Sequence, residues 1–343
     1  MPISQEKFGI TDDGEEVIRY TLTNGNNLEV RIINYGGIIT NIFAPDKNGK
    51  RADIVLGFNS FDGYKVKHPY FGALIGRYGN RIAGGRFSID GTEYSLARNN
   101  NGNALHGGLK GFDKRVWTAS VEGDKLVLQL DSPDGEEGYP GNLICYVTYQ
   151  LTPDNRLTIT YFALTDKPTI VNMTNHSYFN LNGHDSGTID DHVLRVKASH
   201  FTPVNETLIP KGKIEPVDGT AFDLQSDTLL GDRIKQVPGN IGFDHNFCLE
   251  KPGQIKHVAR LYHPDSGRCM NMYSSEPGVQ VYTGAHMPDI IGKGGVKYRK
   301  FASVCLEAQH YPNSPNQENF PPVVLRPGGT YTQSTSYEFS VVK

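Results

Sequence analysis

Residues 18–32, IRYTLTNGNNLEVRI, contain the pattern that decides the fold class. Apolar and polar side chains alternate on both sides of Asn24-Gly25, and the apolar positions are Ile18, Tyr20, Leu22, Leu28, Val30 and Ile32. This two-residue period is that of a β-strand with one buried face. Asn-Gly between two such runs is the strongest short-range signal for a hairpin, because both central residues must tolerate positive φ. The segment therefore predicts two antiparallel strands joined by a tight turn.

The same pattern recurs along the chain, first around Asp90-Gly91 and then with looser turns. Alternating runs occupy 117–121 and 126–130, 144–151 and 157–164, 258–262 and 269–273, and finally 331–341. Helical periodicity is weak, and only 226–237 predicts a short helix. The chain contains 38 glycines and 20 prolines, but no fixed repeat and no Ser/Gly linker. These observations predict an all-β protein, a large antiparallel β-sandwich with very little helix, in one domain over 1–343.

Composition excludes several classes of function. The chain has 34 Lys and Arg against 37 Asp and Glu, a net charge of −3, and no basic cluster of the kind that binds nucleic acid. Mean hydropathy is −0.44, and no apolar run approaches the roughly 18 residues that span a bilayer. The first ten residues lack the features of a secretory signal. We therefore expect a cytoplasmic protein without nucleic-acid or membrane partners.

Motifs for cofactors and metals are missing from the sequence. The glycine-rich stretch GRYGNRIAGGR at 76–86 contains neither GK[ST] nor GxGxxG, so a phosphate cradle is not predicted. HExxH and GxSxG are absent, as is any CxxC. The four cysteines are widely scattered, which favours buried free thiols over disulfides. We expect neither a cofactor nor a metal ion.

The densest group of polar residues is NMTNHSYFNL at 172–181. On a strand, alternation places one set of polar side chains on a common face, namely Asn172, Thr174, His176, Tyr178 and Asn180. Such a face is either an ordinary solvated sheet surface or a binding floor. Amides and an aromatic ring are suited to a sugar, whose hydroxyls need hydrogen-bond partners and whose C–H groups pack on a π surface.

Three further segments carry candidate functional residues. In VCLEAQ at 304–309, alternation places Glu307 in an apolar strand, where a carboxylate is either ion-paired or kept for proton transfer. Glycines follow His106 in LHGG, and they allow a sharp turn that presents the imidazole, although a lone loop histidine is usually just exposed. In FDHNF at 243–247, Asp244 and His245 face opposite sides of a strand, so at most one of them points into a site.

NMTNHSYFNL resembles the signature of the aldose 1-epimerase (galactose mutarotase) family. Further stretches are similar to family motifs and occur in the family's order, and these are GRYGNRIAGGRF, LHGG, FDHNF, GVQVYTG and CLEAQHYPNSPNQ. The resemblance covers essentially the whole chain. It implies a galactose mutarotase-like β-sandwich with a shallow sugar cleft on one concave sheet. Two departures from the family pattern, Tyr78-Gly79 and Asn313, affect packing and a loop near the base.

The resemblance also implies the roles of individual residues. Glu307 corresponds to the general base and His176 to the general acid of a cofactor-independent isomerase that acts on free hexoses such as D-galactose and D-glucose. The positions that match substrate-binding residues are Asn80, Arg81, His106, Tyr178, Asp244 and Gln280. We expect Glu307 to be ionised and His176 to be held partly charged by a neighbouring carboxylate, for which Asp244 is a candidate. The protein is expected to be a monomer or a homodimer.

The sequence leaves three other functional hypotheses open. A non-catalytic carbohydrate-binding β-sandwich explains the polar face but not Glu307. A glycoside hydrolase requires Glu307 and Asp244 at a defined separation. A hexose-6-phosphate 1-epimerase requires basic residues beside the cleft motifs, and the sequence shows no Arg/Lys cluster there.

Overall fold

Three antiparallel β-sheets contain most of the strands of the molecule, which a computed structural model describes for residues 3–342. The first sheet has five strands in chain order, and they are Ser4–Ile10, Glu16–Thr23, Glu29–Ile33, Ile39–Pro45 and Arg51–Asp53. The second sheet has nine strands, which in spatial order are Thr118–Glu122, Lys125–Ser132, Leu143–Leu151, Arg156–Thr165, Tyr331–Val341, Arg268–Ser274, Lys256–Tyr262, Val193–Val196 and Thr228–Leu229.

The third sheet, which we call the cleft sheet, carries the candidate site. Its five strands in spatial order are Glu215–Pro216, His200–Thr202, Asp244–Cys248, Gly278–Tyr282 and Cys305–Gln309. Short two-stranded pairs complete the β-structure, and they are Leu74–Ile75 with Thr174–Asn175, Arg81–Ile82 with Ala104–Leu105, Arg86–Ile89 with Thr92–Ser95, Thr169–Ile170 with Val324–Leu325, and Ile290–Ile291 with Lys297–Tyr298.

Helices are few and short, so the predicted β-sandwich with very little helix is confirmed. The two α-helices are Phe61–Lys65 and Leu230–Ile234. The 3₁₀ turns are Ala83–Gly85, Phe112–Lys114, Glu136–Gly138, Pro238–Asn240, Lys293–Gly295 and Ser314–Asn316. The helix predicted over 226–237 is wrong in extent, because Thr228–Leu229 pairs as a strand with Val193–Val196 before the chain turns. Within residues 3–342, no helix combines the length and apolar composition needed to cross a membrane.

One apolar core lies between the three sheets. It contains Val30 from the first sheet, Leu128 from the nine-stranded sheet and Leu306 from the cleft sheet. Burial of a side chain of this size contributes roughly 1.5–3 kcal/mol to folding. Successive residues of a strand point to opposite faces of the sheet. On each strand of the cleft sheet, the residues that alternate with the core residues therefore face away from the core.

That opposite face presents Glu307. In the strand Cys305–Gln309, Leu306 and Ala308 are buried in the main core, which leaves Glu307 on the other side together with Gln280, its direct neighbour on the adjoining strand. The alternation predicted for 304–309 is therefore confirmed.

The two hairpins predicted from Asn-Gly and Asp-Gly both form, with different turns. Asp90 and Gly91 make a two-residue turn with φ of 50° and 80°, between the paired residues Ile89 and Thr92. The first hairpin instead has a longer loop, in which the backbone N–H of Asn24 donates to the carbonyl of Leu28. Asn27, with φ of 61°, takes the left-handed conformation there. The tight turn predicted at Asn24-Gly25 is wrong because the Asn24 side chain accepts the N–H of Leu28 and closes a wider loop.

The four cysteines are free thiols, as predicted. Cys145, Cys269 and Cys305 are buried, whereas Cys248 is partly exposed. Burial raises the pKa of the Cys145 thiol to about 12, so this sulfur is uncharged and packs as a small apolar group.

Candidate active site

An open cleft of about 690 Å³ lies on the outer face of the cleft sheet. Seven of the eight residues predicted from the sequence line it, and they are Asn80, Arg81, His106, His176, Tyr178, Asp244 and Glu307. The eighth, Gln280, lies outside the cleft lining. Residues that are separated by more than 200 positions in the chain therefore meet in one cavity.

His176 is held by backbone hydrogen bonds to a neighbouring loop. Its N–H donates to the carbonyl of Ala73 (2.9 Å), and its carbonyl accepts the N–H of Gly72 (3.0 Å). The preceding residues Thr174–Asn175 pair with Leu74–Ile75. The prediction of one regular strand over 172–181 is wrong, because only these two residues form a strand, while Asn172 and Phe179 make isolated β-bridges.

The polar face predicted for this segment is only partly a binding surface. All of its residues are buried, and Asn172 and Asn180 donate to the backbone carbonyls of Gly79 and Ala302. Buried amides need such partners, so these two side chains stabilise the loops around the cleft. Of the predicted face, His176 and Tyr178 line the cleft.

Glu307 and His176 meet at the floor of the cleft. Oε2 of Glu307 lies 3.6 Å from Nε2 of His176, and the two side chains are 2 % and 5 % exposed. Oε2 of Glu307 and Nδ1 of His176 have no hydrogen-bond partner among the described residues. Glu307 is thus not neutralised by an ion pair within the sheet, which was the alternative to proton transfer.

Burial changes the pKa values of this pair in opposite directions. It raises the pKa of Glu307 well above its usual range, and the nearby charge of Asp244 acts in the same sense while Arg81 acts against it. It lowers the pKa of His176 to about 4, because the imidazolium loses its hydration. Both shifts act in the same sense, because each favours placing a proton of the pair on Glu307 over placing it on His176.

The expectation of a partly charged His176 is wrong, because burial lowers its pKa to about 4, and the raised pKa of Glu307 acts against the expected ionisation of that carboxyl. Asp244 does raise the pKa of His176, as proposed from the sequence, but the loss of hydration on burial is the larger effect. Sequence alone could not rank these two contributions, because neither burial nor separation can be read from it.

His106 is presented by a turn in which three consecutive residues are left-handed. The φ angles of His106, Gly107 and Gly108 are 51°, 85° and 117°. A Cβ at Gly107 would overlap the carbonyl oxygen of Gly76, so only glycine fits. Nδ1 of His106 accepts the backbone N–H of Asn80 (3.1 Å), which leaves the proton on Nε2.

His106 is consequently a neutral hydrogen-bond donor. Burial, together with the charges of His176, Arg81 and Lys114, lowers its pKa well below the usual value. Its ring stands nearly perpendicular to that of His176, with centroids 5.2 Å apart and an interplanar angle of 78°. Its Nε2–H can therefore donate to a ligand oxygen without any change of charge.

Arg81, Asp244 and Gln280 form a connected polar group. Nη2 of Arg81 lies 3.6 Å from Oδ2 of Asp244, and the amide of Gln280 donates to Oδ1 of Asp244 (2.7 Å). Gln309 donates to Gln280 in turn (3.4 Å). Gln280 reaches the cleft through Asp244, so its direct contact with a sugar stays a prediction. His245 packs instead against Phe222 on the other side of the strand, as expected from alternation.

The two departures from the family pattern occupy structural positions. The Tyr78 hydroxyl donates to the carbonyl of Tyr311 (3.2 Å). The backbone N–H of Asn313 donates to the carbonyl of Arg81 (2.7 Å), and its side-chain oxygen accepts the N–H of Ala83 (2.9 Å). Asn313 thus supports the loop that carries Arg81.

Several cleft residues were missed by the sequence analysis. They include the aromatic Tyr70 and Tyr282 and three lysines on the outer wall, Lys65, Lys67 and Lys114. The statement that no basic cluster lies beside the cleft motifs is therefore wrong. Lys65 and Lys67 lie at the end of the helix Phe61–Lys65 and just after it, whereas Lys114 ends the 3₁₀ turn Phe112–Lys114, and no local sequence signal brings these two segments together.

Two groups of side chains have the composition of a metal site. In the cleft, ligand atoms of His106, His176 and Glu307 lie within 4.8 Å of one another. Nδ1 of His106 is occupied by the Asn80 N–H, however, so its cleft-facing nitrogen is protonated and is a poor ligand.

The second group consists of Asp191, His192 and His263. Its imidazole nitrogens are likewise already used in hydrogen bonds. The Asp191 carboxylate bonds both imidazoles (2.8 and 2.9 Å), whose other nitrogens accept backbone N–H groups. His192 and His263 thus each donate a hydrogen bond to the Asp191 carboxylate. The three side chains form a hydrogen-bonded cluster away from the cleft.

Comparisons with known proteins show the family to which the chain is similar. The family model described as aldose 1-epimerase matches residues 19–338. The chain is 46% identical to a galactose mutarotase from Sus scrofa over 340 residues, which is 99% of each chain. It is 37% identical to an aldose 1-epimerase from Escherichia coli (strain K12) over 344 residues, covering 97% of this chain and 98% of the relative. A solved structure of an aldose epimerase homologue from C. elegans superposes with a TM-score of 0.89 at 30% identity, covering 94% and 98% of the two chains.

Proposed function

The chain belongs to the aldose 1-epimerase family and is an isomerase that interconverts the α and β anomers of free hexoses; on this premise we propose that Glu307 and His176 carry out its proton transfers. The observation that supports this assignment best is the 3.6 Å separation of Glu307 Oε2 and His176 Nε2 at the floor of the cleft. The two oxygens that exchange protons in mutarotation are bonded to the same carbon, so the base and the acid must be close neighbours.

Ring opening then proceeds as one concerted exchange. The Glu307 carboxylate takes the proton of the C1 hydroxyl, the C1–O1 bond becomes a carbonyl, and the bond between C1 and the ring oxygen breaks. The ring oxygen receives a proton from Nε2 of His176. Glu307 is now protonated and His176 neutral, which is the distribution of charge that burial favours.

Ring closure reverses these transfers after rotation about C1–C2. Attack of the C5 hydroxyl on the other face of the aldehyde returns one proton to His176 and draws the other from Glu307. The pair carries one proton throughout the cycle, so no net exchange with solvent is needed. A bound cyclic sugar must move that proton from Glu307 to His176, and its hydroxyl hydrogen bonds to the carboxylate, together with the nearby Arg81, favour this move.

The remaining polar side chains are proposed to hold the sugar. Asn80, Arg81 and Asp244 bind hydroxyls, and Nε2–H of His106 donates on the ring-oxygen side. Gln280 orients Asp244 through the 2.7 Å hydrogen bond between them. The aromatic face of Tyr178 provides an apolar surface for the sugar C–H groups. This arrangement binds the hydroxyl end while leaving C1 free to rotate.

Free hexoses fit the cleft better than hexose 6-phosphates. Of the three lysines on the outer wall, Lys65 is paired with Asp12 (3.1 Å) and Lys114 with Asp113 (3.0 Å). Only Lys67 has no ion pair among the described residues. A phosphate typically requires several unpaired cations or a cradle of N–H groups, so we propose D-galactose and D-glucose as substrates.

The first test is polarimetry of freshly dissolved α-D-galactose, α-D-glucose and D-glucose 6-phosphate with purified protein. We expect the approach to anomeric equilibrium to be accelerated over the buffer blank for both free sugars, and much less for the phosphate. Acceleration confined to the phosphorylated sugar would contradict the substrate assignment. The ratio of the two free-sugar rates measures the preference between them.

The pH dependence of kcat/KM is expected to be bell-shaped, because only the singly protonated pair is active. His176, with its pKa lowered to about 4, stays neutral until the pH falls to that value, and a second proton on the pair then abolishes activity. On the alkaline side, Glu307 loses its proton only above its raised pKa, and activity falls there. Polarimetry between about pH 3 and about pH 10, with blanks subtracted at each pH, measures both limbs. A profile with an acid limb near the usual histidine pKa would contradict the assignment.

The chain is further proposed to act as a single cytoplasmic domain. One core cluster contains Tyr20 near the start of the described residues and Phe339 near their end. Four free cysteines favour a reducing compartment.

A further inference from the structure

Tyr70 has an unusual backbone conformation beside the catalytic pair. It lies in the loop between Phe61–Lys65 and Leu74–Ile75, lines the cleft and has φ of 60°. A bulky residue rarely adopts the left-handed region, and such a conformation persists only where the surroundings enforce it. No family motif in the sequence includes this residue.

The ring of Tyr70 contacts both active-site histidines. It stacks on His176 with centroids 5.9 Å apart at an interplanar angle of 25°, and it meets His106 edge-on at 4.7 Å. His176 has a second nearly parallel neighbour in Tyr178, at 5.0 Å and 19°. The proposed general acid is therefore bordered by two tyrosine π systems.

Tyr70 and His176 are also connected through the backbone. The carbonyl of Tyr70 accepts the N–H of Ala73 (3.1 Å), and the adjacent Gly72 and Ala73 exchange hydrogen bonds with His176. The Asn175 amide donates to the carbonyl of Gly72 (2.9 Å). These bonds fix the position of the Tyr70 ring relative to the imidazole of His176. The strained φ of Tyr70 is part of the backbone conformation that places the ring there.

We propose that Tyr70 is a positioning residue that orients the imidazole of His176 and stabilises its charged form during ring opening. A cation within about 6 Å of the face of an aromatic ring is attracted by the ring quadrupole. The imidazolium appears only while a cyclic sugar is bound, so the π faces stabilise the acid at the stage when it must donate its proton. This inference rests on the proposed role of His176 as general acid.

Other groups also act on the charge of His176. Asp244 raises its pKa, His68 and Arg81 lower it, and Glu307 is 3.6 Å away. The Lys114 ammonium lies 5.6 Å from the Tyr70 ring centroid, with Asp113 as its counter-ion. A variant that changes burial would alter all of these contributions together, so the test must keep the shape of residue 70.

A series of ring-fluorinated phenylalanines at position 70 meets this requirement. Tyr70→Phe is the parent, and mono-, tri- and pentafluorophenylalanine weaken the quadrupole stepwise at nearly constant volume. We expect kcat for galactose mutarotation to fall progressively, by about three- to tenfold over the series, and the acid limb of kcat/KM to move down by about half a pH unit. KM should change little, because the sugar hydroxyls have other partners.

Tyr94 provides a matched control. It is also half-buried and stacks on an aromatic ring, Phe87, at 5.3 Å and 21°, but it does not line the cleft. Pentafluorophenylalanine at position 94 should leave kcat and the acid limb unchanged. The proposal would be overturned if kcat stayed constant across the fluorinated variants at position 70. It would also be overturned if Tyr70→Phe lowered kcat as much as the pentafluoro variant does.

His176→Asn separates this inference from the proposed function. If that variant keeps wild-type turnover, the acid role itself is wrong. If it loses turnover while the fluorine series is flat, His176 is the acid and only the role of Tyr70 is wrong.

Discussion

We expect Glu307→Gln to lower kcat for mutarotation of galactose by about 10³-fold, while galactose still binds. The amide has the same shape as the protonated carboxyl that burial favours, so the fold and the sugar contacts should be retained. It cannot accept the C1 hydroxyl proton, and ring opening then lacks its base. Polarimetry measures the loss of turnover, and isothermal titration calorimetry measures the retained affinity.

Glu276 offers a matched control for this substitution. It is another buried glutamate beside a histidine, with Oε2 2.7 Å from Nδ1 of His310, and it lies outside the cleft lining. Glu276→Gln should keep turnover within about twofold of wild type. Near-normal turnover in Glu307→Gln would remove Glu307 from the role of base. A parallel loss in both variants would point to a structural effect.

His176→Asn is expected to lower kcat by about 10²- to 10³-fold and to abolish the acid limb of the pH profile near pH 4. Asparagine can donate a hydrogen bond to the ring oxygen, but it cannot transfer a proton at an accessible pKa. Without the imidazole, the base is active only when Glu307 is itself ionised, so any residual activity should rise with pH towards the raised pKa of Glu307 and show no separate limb near pH 4. The measurement is kcat/KM by polarimetry at closely spaced pH values below neutrality.

His310→Asn is the corresponding control, because it removes the histidine of the Glu276 pair, which lies outside the cleft lining. It should keep the wild-type acid limb. If the residual activity of His176→Asn still shows a limb near pH 4, that titration belongs to another group, and His106 becomes the candidate acid.

Much of the architecture could be predicted from local patterns. Asp90-Gly91 forms its two-residue turn because both residues accept positive φ, a property of the residues themselves. Glu307 faces away from the core because the side chains of a strand alternate. The turn at Asn24 and the helix over 226–237 were predicted wrongly because side-chain capping and strand pairing competed with local preference.

The candidate residues could be found in the sequence, but their surroundings could not. The resemblance to the family identified seven residues that line one cleft. It did not indicate that Asn172 and Asn180 bind backbone carbonyls, that Gln280 lies behind Asp244, or that Tyr70 stacks on His176. Each of these relations depends on the packing of chain segments that are distant in sequence.

The sequence by itself determined the β-class and the face of Glu307 on its strand, and it supplied the proposal that Glu307 and His176 are base and acid, because alternation, turn propensity and family motifs are properties of short segments. Only the tertiary structure decided the directions in which the pKa values of this pair are shifted. The pKa values of Glu307 and His176 are set mainly by loss of hydration, which depends on how completely the surrounding chain excludes water. Short-range sequence patterns contain no measure of that exclusion, so the charge state of the site is a consequence of folding.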